Sequence, residues 1–179
     1  MEMIGNHNQH GSPKSYWHVL YVRQKYEKTI STKLDEMGVE HILPLTKTLR
    51  VYKSQSRKVI VPLFPGYLFL NIQPGKRHHV TNLNGVYSFV KIGQEFQRVQ
   101  HWEIENLRIL AGNVNNYSDL RPEPYIRSGS LIEVTQGPFC GMRGLVTGKN
   151  GGRILVTIDS IKSAISISVP QTQVELKTA

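Results

Sequence analysis

The stretch that decides the fold is Phe64-Pro65-Gly66-Tyr67-Leu68-Phe69. Pro65 fixes the backbone dihedral φ and removes an amide donor, and Gly66 permits a backbone shape that other residues resist. The apolar and aromatic residues that follow predict a β-strand. Because side chains alternate along a strand, Tyr67 and Phe69 should share one face and Leu68 the other. Taken alone, the run is equally compatible with a buried core strand and with an aromatic face exposed for a partner.

Strand and helix patterns alternate on both sides of this run, over residues 16–112. Residues 16–22 are aromatic and β-branched, as in a strand, and the apolar residues of 25–37 repeat at helical spacing. Further strands are predicted at 39–43, 46–52, 58–62, 67–72 and 86–92, with helices at 74–83 and 99–111. The sequence therefore predicts an α+β domain, an α/β sandwich in which helices pack on a mostly antiparallel sheet.

The rest of the chain differs in character. Residues 113–127 contain three asparagines and two prolines and are predicted to be a linker. Residues 128–179 contain five short runs rich in Ile and Val, with the turn signal Asn150-Gly151 between two of them, which predicts a small five-stranded β-barrel. Residues 1–15 are polar, without the apolar core of a signal peptide, and are expected to be a disordered leader on a cytoplasmic protein.

The positive charge of the chain is concentrated in its first part. The formal net charge is +9, of which residues 1–112 carry +7 and residues 113–179 carry +2. Between His41 and Gln94 there is no acidic residue, although the same window contains eight lysines and arginines. Such a window is compatible with a solvated basic face that has no partner, but its length favours a surface for nucleic acid.

The run at 64–69 resembles the signature of the N-terminal (NGN) domain of the NusG family of transcription factors. Two more segments resemble strands of that domain: Trp17-His18-Val19-Leu20-Tyr21-Val22 and Gly85-Val86-Tyr87-Ser88-Phe89-Val90. Residues 129–134 and 137–144 resemble the KOW motif of the family's C-terminal domain. The resemblance covers residues 15–178, and it implies an NGN domain at 16–112 and a KOW β-barrel at 128–179.

The resemblance also implies a function, in transcription elongation and antitermination. In this family the N-terminal domain binds the clamp helices of the largest RNA polymerase subunit through an apolar patch, to which Tyr67, Phe69 and Phe89 correspond. Specialised members contact the gate loop of the other large subunit through a segment that corresponds to His78, His79 and Thr81. These residues are therefore expected to bind polymerase and so to suppress pausing.

DNA and a further protein are the other expected partners. The basic residues expected to bind upstream or non-template DNA through phosphate contacts are Lys47, Arg50, Lys53, Arg57, Lys58, Lys76 and Arg77. In the family the KOW module recruits a small-subunit ribosomal protein or the Rho factor, and the contact candidates here are Phe139, Met142 and Arg143. Phe139 is equally compatible with a position in the barrel core.

The basic balance of the chain and its diverged barrel loops resemble those of the operon-specific, RfaH-like and polysaccharide-locus antiterminators. Some members of that group hold the C-terminal module as a helical hairpin. Residues 131–176 contain eleven Ile or Val, and β-branched side chains disfavour helix, so a stable barrel is predicted here.

Other classes of function find little support. A ribosome- or RNA-binding KOW protein is the alternative, but it would need the barrel to be the basic part. The sequence has no catalytic triad, paired carboxylates or metal-ligand spacing, so we expect no enzyme activity, metal or cofactor. The single cysteine, Cys140, excludes an internal disulfide, and no apolar run is long enough to span a membrane. We expect a monomer that does not engage a membrane.

Overall fold

A computed structural model describes residues 14–52, 55–113, 121–123, 129–146, 153–169 and 171–176. The predicted leader lies outside the described residues except for Lys14 and Ser15. The N-terminal strands are β1 (Tyr16–Val22), β2 (His41–Ile42), β3 (Leu45–Tyr52), β4 (Gln55–Pro62), β5 (Tyr67–Ile72), β6 (Val86–Phe89), β7 (Lys91–Ile92) and β8 (Glu95–Phe96). The helices are α1 (Glu27–Glu36), α2 (Arg77–Thr81) and α3 (His101–Gly112).

The N-terminal domain is built on a four-stranded sheet with the order β2-β5-β1-β6, and its assigned pairings are antiparallel. The predicted α+β sandwich is confirmed. The predicted helix at 74–83 is a 3-10 turn, Pro74–Lys76, followed by the short α2, and the predicted strand at 86–92 divides into β6 and β7. The chain reverses after β7, because β7 pairs with β8 in a separate small hairpin.

Helices cover both faces of this sheet. On one face, Leu68, Leu70 and Ile72 of β5 join a buried cluster with Ile30 and Leu34 of α1. On the other face, Val19 and Phe69 join a second cluster, to which α3 contributes Ile104, Leu107 and Leu110. The predicted alternation of β5 is therefore confirmed, with Leu68 on the α1 face and Phe69 on the α3 face.

A long two-stranded hairpin, β3–β4, forms a sheet of its own. Its register pairs Leu45 with Pro62 at the base and Tyr52 with Gln55 near the tip. The Lys28 side chain of α1 donates a hydrogen bond of 2.8 Å to the carbonyl of Ile60, which ties the hairpin to the domain.

The C-terminal strands are β9 (Arg121–Glu123), β10 (Ser130–Val134), β11 (Arg143–Val146), β12 (Arg153–Ile158), β13 (Ser163–Ser168) and β14 (Val174–Leu176). They form one six-stranded sheet with the order β14-β10-β11-β12-β13-β9. All five predicted strands are present. The sixth, β9, lies within the predicted linker and pairs with β13, so part of that segment belongs to the C-terminal sheet.

The two domains contact each other through α3. Asn106 is buried, and its side-chain amide pairs with the backbone of Arg143, accepting from the amide at 3.0 Å and donating to the carbonyl at 2.8 Å. Buried Glu103 accepts hydrogen bonds from the backbone amide and the hydroxyl of Ser160, at 3.1 and 3.3 Å. The second apolar cluster continues across this interface through residues such as Ile132 and Val156, so the domains share one core.

Candidate functional site

Three tyrosines form a row across neighbouring strands of the N-terminal sheet. Tyr21 of β1 lies between Tyr67 of β5 and Tyr87 of β6, with ring centroids 5.5 and 5.2 Å apart. Tyr21 is 42% exposed and Tyr87 is 60% exposed, whereas Tyr67 is half-buried. Tyrosines of this kind combine a large apolar surface with a polar hydroxyl, which suits them to bind a protein partner.

The Pro65-Gly66 turn positions this row. The Tyr67 amide donates to the Phe64 carbonyl at 3.1 Å, which closes a β-turn in which Gly66 has a φ of +85°. A Cβ on Gly66 would lie 3.3 Å from the Tyr21 ring, so the turn packs directly under the row. Buried Glu27 at the start of α1 accepts a hydrogen bond of 2.7 Å from the Gly66 amide. Local sequence patterns do not predict the role of Glu27, because it depends on a contact between residues distant in sequence.

Phe69 and Phe89 are not accessible to a partner in this structure. Phe69 is 0% exposed and lies on the α3 face, edge-on to Phe64, with 6.0 Å between the ring centroids. Phe89 is 3% exposed and belongs to the cluster on the opposite face of the sheet. The expectation that Tyr67, Phe69 and Phe89 form one exposed patch is therefore corrected, because the sheet is covered on both faces. Only Tyr67 of the three belongs to the exposed row.

The histidine segment lies on α2, beside the row. His78 and His79 are exposed and their rings are 3.8 Å apart. Thr81 is also exposed, and its hydroxyl donates to the carbonyl of His78 at 3.2 Å. Together with Tyr87 and Phe89, His78 and Thr81 line a groove of about 440 Å³ between α2 and β6.

The basic residues of the β3–β4 hairpin divide between its two faces, because residues that lie opposite each other share a face. Arg50 and Arg57 form a cross-strand pair on one face. The other face combines Lys47 and Lys58 with exposed apolar side chains, namely those of Leu49, Val51 and Ile60. Arg50, Arg57 and Lys58 are exposed, Lys47 is half-buried, and Lys53 lies outside the described residues.

The two remaining basic candidates differ in exposure. Lys76 is exposed, whereas Arg77 is half-buried and donates a hydrogen bond of 2.9 Å to Nε2 of His18. Nδ1 of His18 lies 2.9 Å from the carbonyl of Gln97, which can only accept, so His18 is the neutral tautomer with its proton on Nδ1. Burial lowers the pKa of His18, and the charges of Arg77 and Arg98 lower it further, although the hydrogen bond to Gln97 opposes them.

In the C-terminal domain, two of the three contact candidates are core residues. Phe139 and Met142 are buried in the cluster that the domains share, so the core position considered for Phe139 is the one observed. Arg143 is exposed, and its Nε donates to Glu133 at 3.1 Å while its backbone holds Asn106. Of this set, only Arg143 offers a side chain to a partner.

The described residues contain neither a metal-binding cluster nor a membrane-spanning helix. Within the described ranges, no group of three or more His, Cys, Asp or Glu side chains is arranged to hold a metal ion. His41, for example, contacts the hydroxyl of Ser31 at 2.6 Å and the carbonyl of Val39 at 3.0 Å. None of the helices in the described part of the chain is long and apolar enough to cross a membrane.

The chain is similar to known proteins of one family. A family model described as "Transcription termination factor nusG" matches residues 15–108. Two proteins named "Transcription termination/antitermination protein NusG" are similar to this chain over most of their length. The protein from Buchnera aphidicola is 23% identical, and the match covers 89% of each chain. The protein from Escherichia coli K12 is 22% identical, and the match covers 92% of this chain and 97% of the other.

Among solved structures, one titled "Domain interaction in Thermotoga maritima NusG" is similar in fold, with a TM-score of 0.52 and 20% identity, covering 90% of this chain and 97% of the other. Members of the matched family are transcription factors and not enzymes. The family match spans more than half of the chain and includes β1, the turn at 64–69 and the first two-thirds of α3. The chain belongs to the NusG family of transcription termination and antitermination factors.

Proposed function

We propose that this protein is a transcription antitermination factor that binds RNA polymerase at the clamp helices of the largest subunit through the row Tyr21, Tyr67 and Tyr87. The observation that carries the proposal is the exposure of this row on a sheet whose faces are otherwise covered. Aromatic anchors carry much of the binding energy of protein–protein contacts. Phe69 and Phe89 support the row from within the core and do not contact the partner.

The α2 segment is proposed to add a second polymerase contact. His78, His79 and Thr81 are exposed on α2, next to Tyr87 at one end of the row, where a second partner surface can reach them. In this proposal they contact the gate loop of the other large subunit. A factor that holds both sides of the polymerase cleft disfavours opening, and it suppresses pausing without any bond chemistry.

The β3–β4 hairpin is proposed to bind upstream or non-template DNA. The Arg50–Arg57 pair places two like charges opposite each other, an arrangement that destabilises a ribbon unless an anion neutralises it. A phosphate group between them would do so. Phosphate contacts position a protein on DNA without reading its sequence.

The family's specialised members suggest the remaining parts of the proposal. The concentration of positive charge in the N-terminal domain favours an operon-specific paralogue. The protein is proposed to act in the cytoplasm, as transcription factors of the matched family do. Recruitment of a small-subunit ribosomal protein or the Rho factor by the C-terminal domain is proposed to use the exposed Arg143, since Phe139 and Met142 are buried.

Transcription in vitro past a terminator tests the function. Wild-type protein should raise read-through and shorten pauses, and Tyr21→Ala/Tyr67→Ala should lose both effects. Met37→Ala is a matched control, because Met37 is also an exposed apolar residue but lies at the end of α1, away from the row. Equal read-through with the tyrosine variant and the control would refute the assignment of the row.

A further inference from the structure

Glu27 is a charged residue that lies buried in the first turn of α1. It is 2% exposed, and it takes part in none of the salt bridges found in the described part of the chain. Burial of a carboxylate without a cation is costly, and an apolar residue of similar volume would fill the same space at lower cost. The positive end of the helix dipole offsets only part of that cost. A carboxylate at this position therefore points to a specific contact.

The contact that Glu27 makes is with the turn that precedes Tyr67. Oε1 of Glu27 accepts a hydrogen bond of 2.7 Å from the Gly66 amide, and the Gly66 carbonyl accepts one of 2.8 Å from the amide of Val22. Both backbone polar groups of Gly66 are therefore held by the segment that joins β1 to α1. Gly66 packs under the ring of Tyr21 and is bonded to Tyr67. Glu27 thus fixes where β5 starts relative to the middle of the tyrosine row.

The same segment also holds the strand that carries the third tyrosine. The amide of Arg23 donates to the carbonyl of Gly85 at 2.7 Å, and Gly85 lies just before β6. Gly85 has a φ of +96° and packs so closely on the ring of Tyr26 that a Cβ would not fit. Lys25 has a φ of +72°, a left-handed conformation that a residue other than glycine keeps only where its surroundings fix it. Residues 22–27 are therefore a common base for β5 and β6.

We propose that Glu27 is a positioning residue for the binding of RNA polymerase, acting through Gly66 on the geometry of the tyrosine row, a role that rests on the function proposed for the row. At 2% exposure the carboxylate is out of reach of a partner, so it contributes by ordering the row before binding. A row that is ordered in advance loses less conformational entropy when it binds. For two aromatic side chains this corresponds to a roughly five- to hundredfold difference in Kd.

Two substitutions separate the hydrogen bond of Glu27 from its charge. Glu27→Leu removes the acceptor and keeps a side chain of similar size, whereas Glu27→Gln removes the charge and keeps an oxygen that can accept from the Gly66 amide. The affinity of purified core polymerase for the full-length protein should fall at least about fivefold in Glu27→Leu and stay within about twofold of the wild type in Glu27→Gln. Equal losses in both variants would mean that the charge matters and not the hydrogen bond, and would overturn the proposal.

Two control substitutions exclude a general effect of α1. Lys28→Met changes the neighbouring residue, whose hydrogen bond to Ile60 holds the β3–β4 hairpin and not the row. Leu34→Val lowers the stability of the same helix from a position that is 0% exposed. Both variants, shown to be folded by circular dichroism, should bind polymerase within about twofold of the wild type. A loss in either control as large as that in Glu27→Leu would assign the effect to α1 as a whole and overturn the proposal.

A double-mutant cycle connects Glu27 to the row. In the Tyr21→Ala/Tyr67→Ala background, Glu27→Leu should cause no further loss of affinity, because the side chains that it positions are gone. A further loss as large as in the wild-type background would show that Glu27 acts elsewhere and would overturn the proposal. Where Glu27→Leu does not fold, Glu27→Asp takes its place with the same expected loss, because its carboxylate is one methylene further from the Gly66 amide.

The same measurements distinguish failure of this role from failure of the row. If Tyr21→Ala/Tyr67→Ala binds polymerase as the wild type does, the function proposed for the row is refuted, and the role of Glu27 with it. If the tyrosine variant binds weakly but Glu27→Leu binds as the wild type does, only the role of Glu27 is refuted.

Discussion

Replacing Asn106 by Ala should weaken the docking of the two domains without unfolding either. The side-chain amide of Asn106 forms two hydrogen bonds with the backbone of Arg143 in β11, as a neighbouring strand would. It donates to the carbonyl and accepts from the backbone amide. Each hydrogen bond contributes about 0.5–1.5 kcal/mol, and each buried backbone group left unpaired costs about 1–3 kcal/mol. We therefore expect the docked state to lose about 2–4 kcal/mol, a roughly 30- to 700-fold shift toward the undocked state. The substitution destabilises the docked state only, because water can form hydrogen bonds with the Arg143 backbone once the domains separate.

Nuclear magnetic resonance relaxation of the full-length protein can measure this shift. While docked, the two domains tumble together and share one rotational correlation time. In Asn106→Ala the C-terminal amides should report a shorter rotational correlation time than in the wild type, different from that of the N-terminal amides. The chemical shift of each interface amide should move toward its value in the undocked state. Glu105→Ala is the control, since Glu105 is exposed on the same helix and only 3.9 Å from Arg108 in a solvated ion pair. A single correlation time in Asn106→Ala would refute the role assigned to this pair.

Three further predictions concern the turn, the buried histidine and the hairpin. Gly66→Ala should lower the free energy of unfolding in urea by about 1–3 kcal/mol, because Gly66 has a φ of +85° and a Cβ would press on the Tyr21 ring. A free energy within about 0.5 kcal/mol of the wild-type value would show that the turn does not require glycine. The pKa of His18 is lowered in the folded state, so the unfolded state binds a proton more readily. The contribution of His18 to the free energy of unfolding should therefore be fully present above pH 6.5 and be lost as the pH falls below it, and His18→Gln should flatten that pH dependence. Arg50→Ala/Arg57→Ala should lower the salt slope of duplex DNA binding by roughly 0.9, the value for the one phosphate placed between the two arginines, and an unchanged slope would exclude the pair from the phosphate contacts.

The order of elements and the alternation of β5 follow from local patterns in the sequence. Pro65 and Gly66 indicated the strand entry, and the structure places Gly66 in the left-handed conformation that such a turn requires. The two-residue alternation of a strand predicts which side chains share a face, but it does not predict whether other elements pack on that face. Phe69 was therefore predicted as a contact although α3 and the C-terminal domain complete a core around it.

Local sequence patterns do not predict the interface between the domains, because its polar residues resemble those on the solvent-facing side of any helix. Glu103 and Asn106 lie on the same face of α3 as Leu107 and Leu110, a spacing of 3, 1 and 3 residues, so polar side chains interrupt an apolar stripe. That interruption was the available signal for a polar contact across a buried boundary. Glu103 also accepts from the backbone amide of Gln100 at 2.9 Å, and a capping role alone would have explained it.

Binding of RNA polymerase by the tyrosine row is tested most directly by the affinity of purified core polymerase for the full-length protein. Tyr21→Ala/Tyr67→Ala should weaken binding by at least about tenfold, since aromatic anchors carry much of the energy of such interfaces. Met37→Ala should bind as the wild type does. Equal affinity of the wild type and the tyrosine variant, with both proteins folded, would contradict the claim.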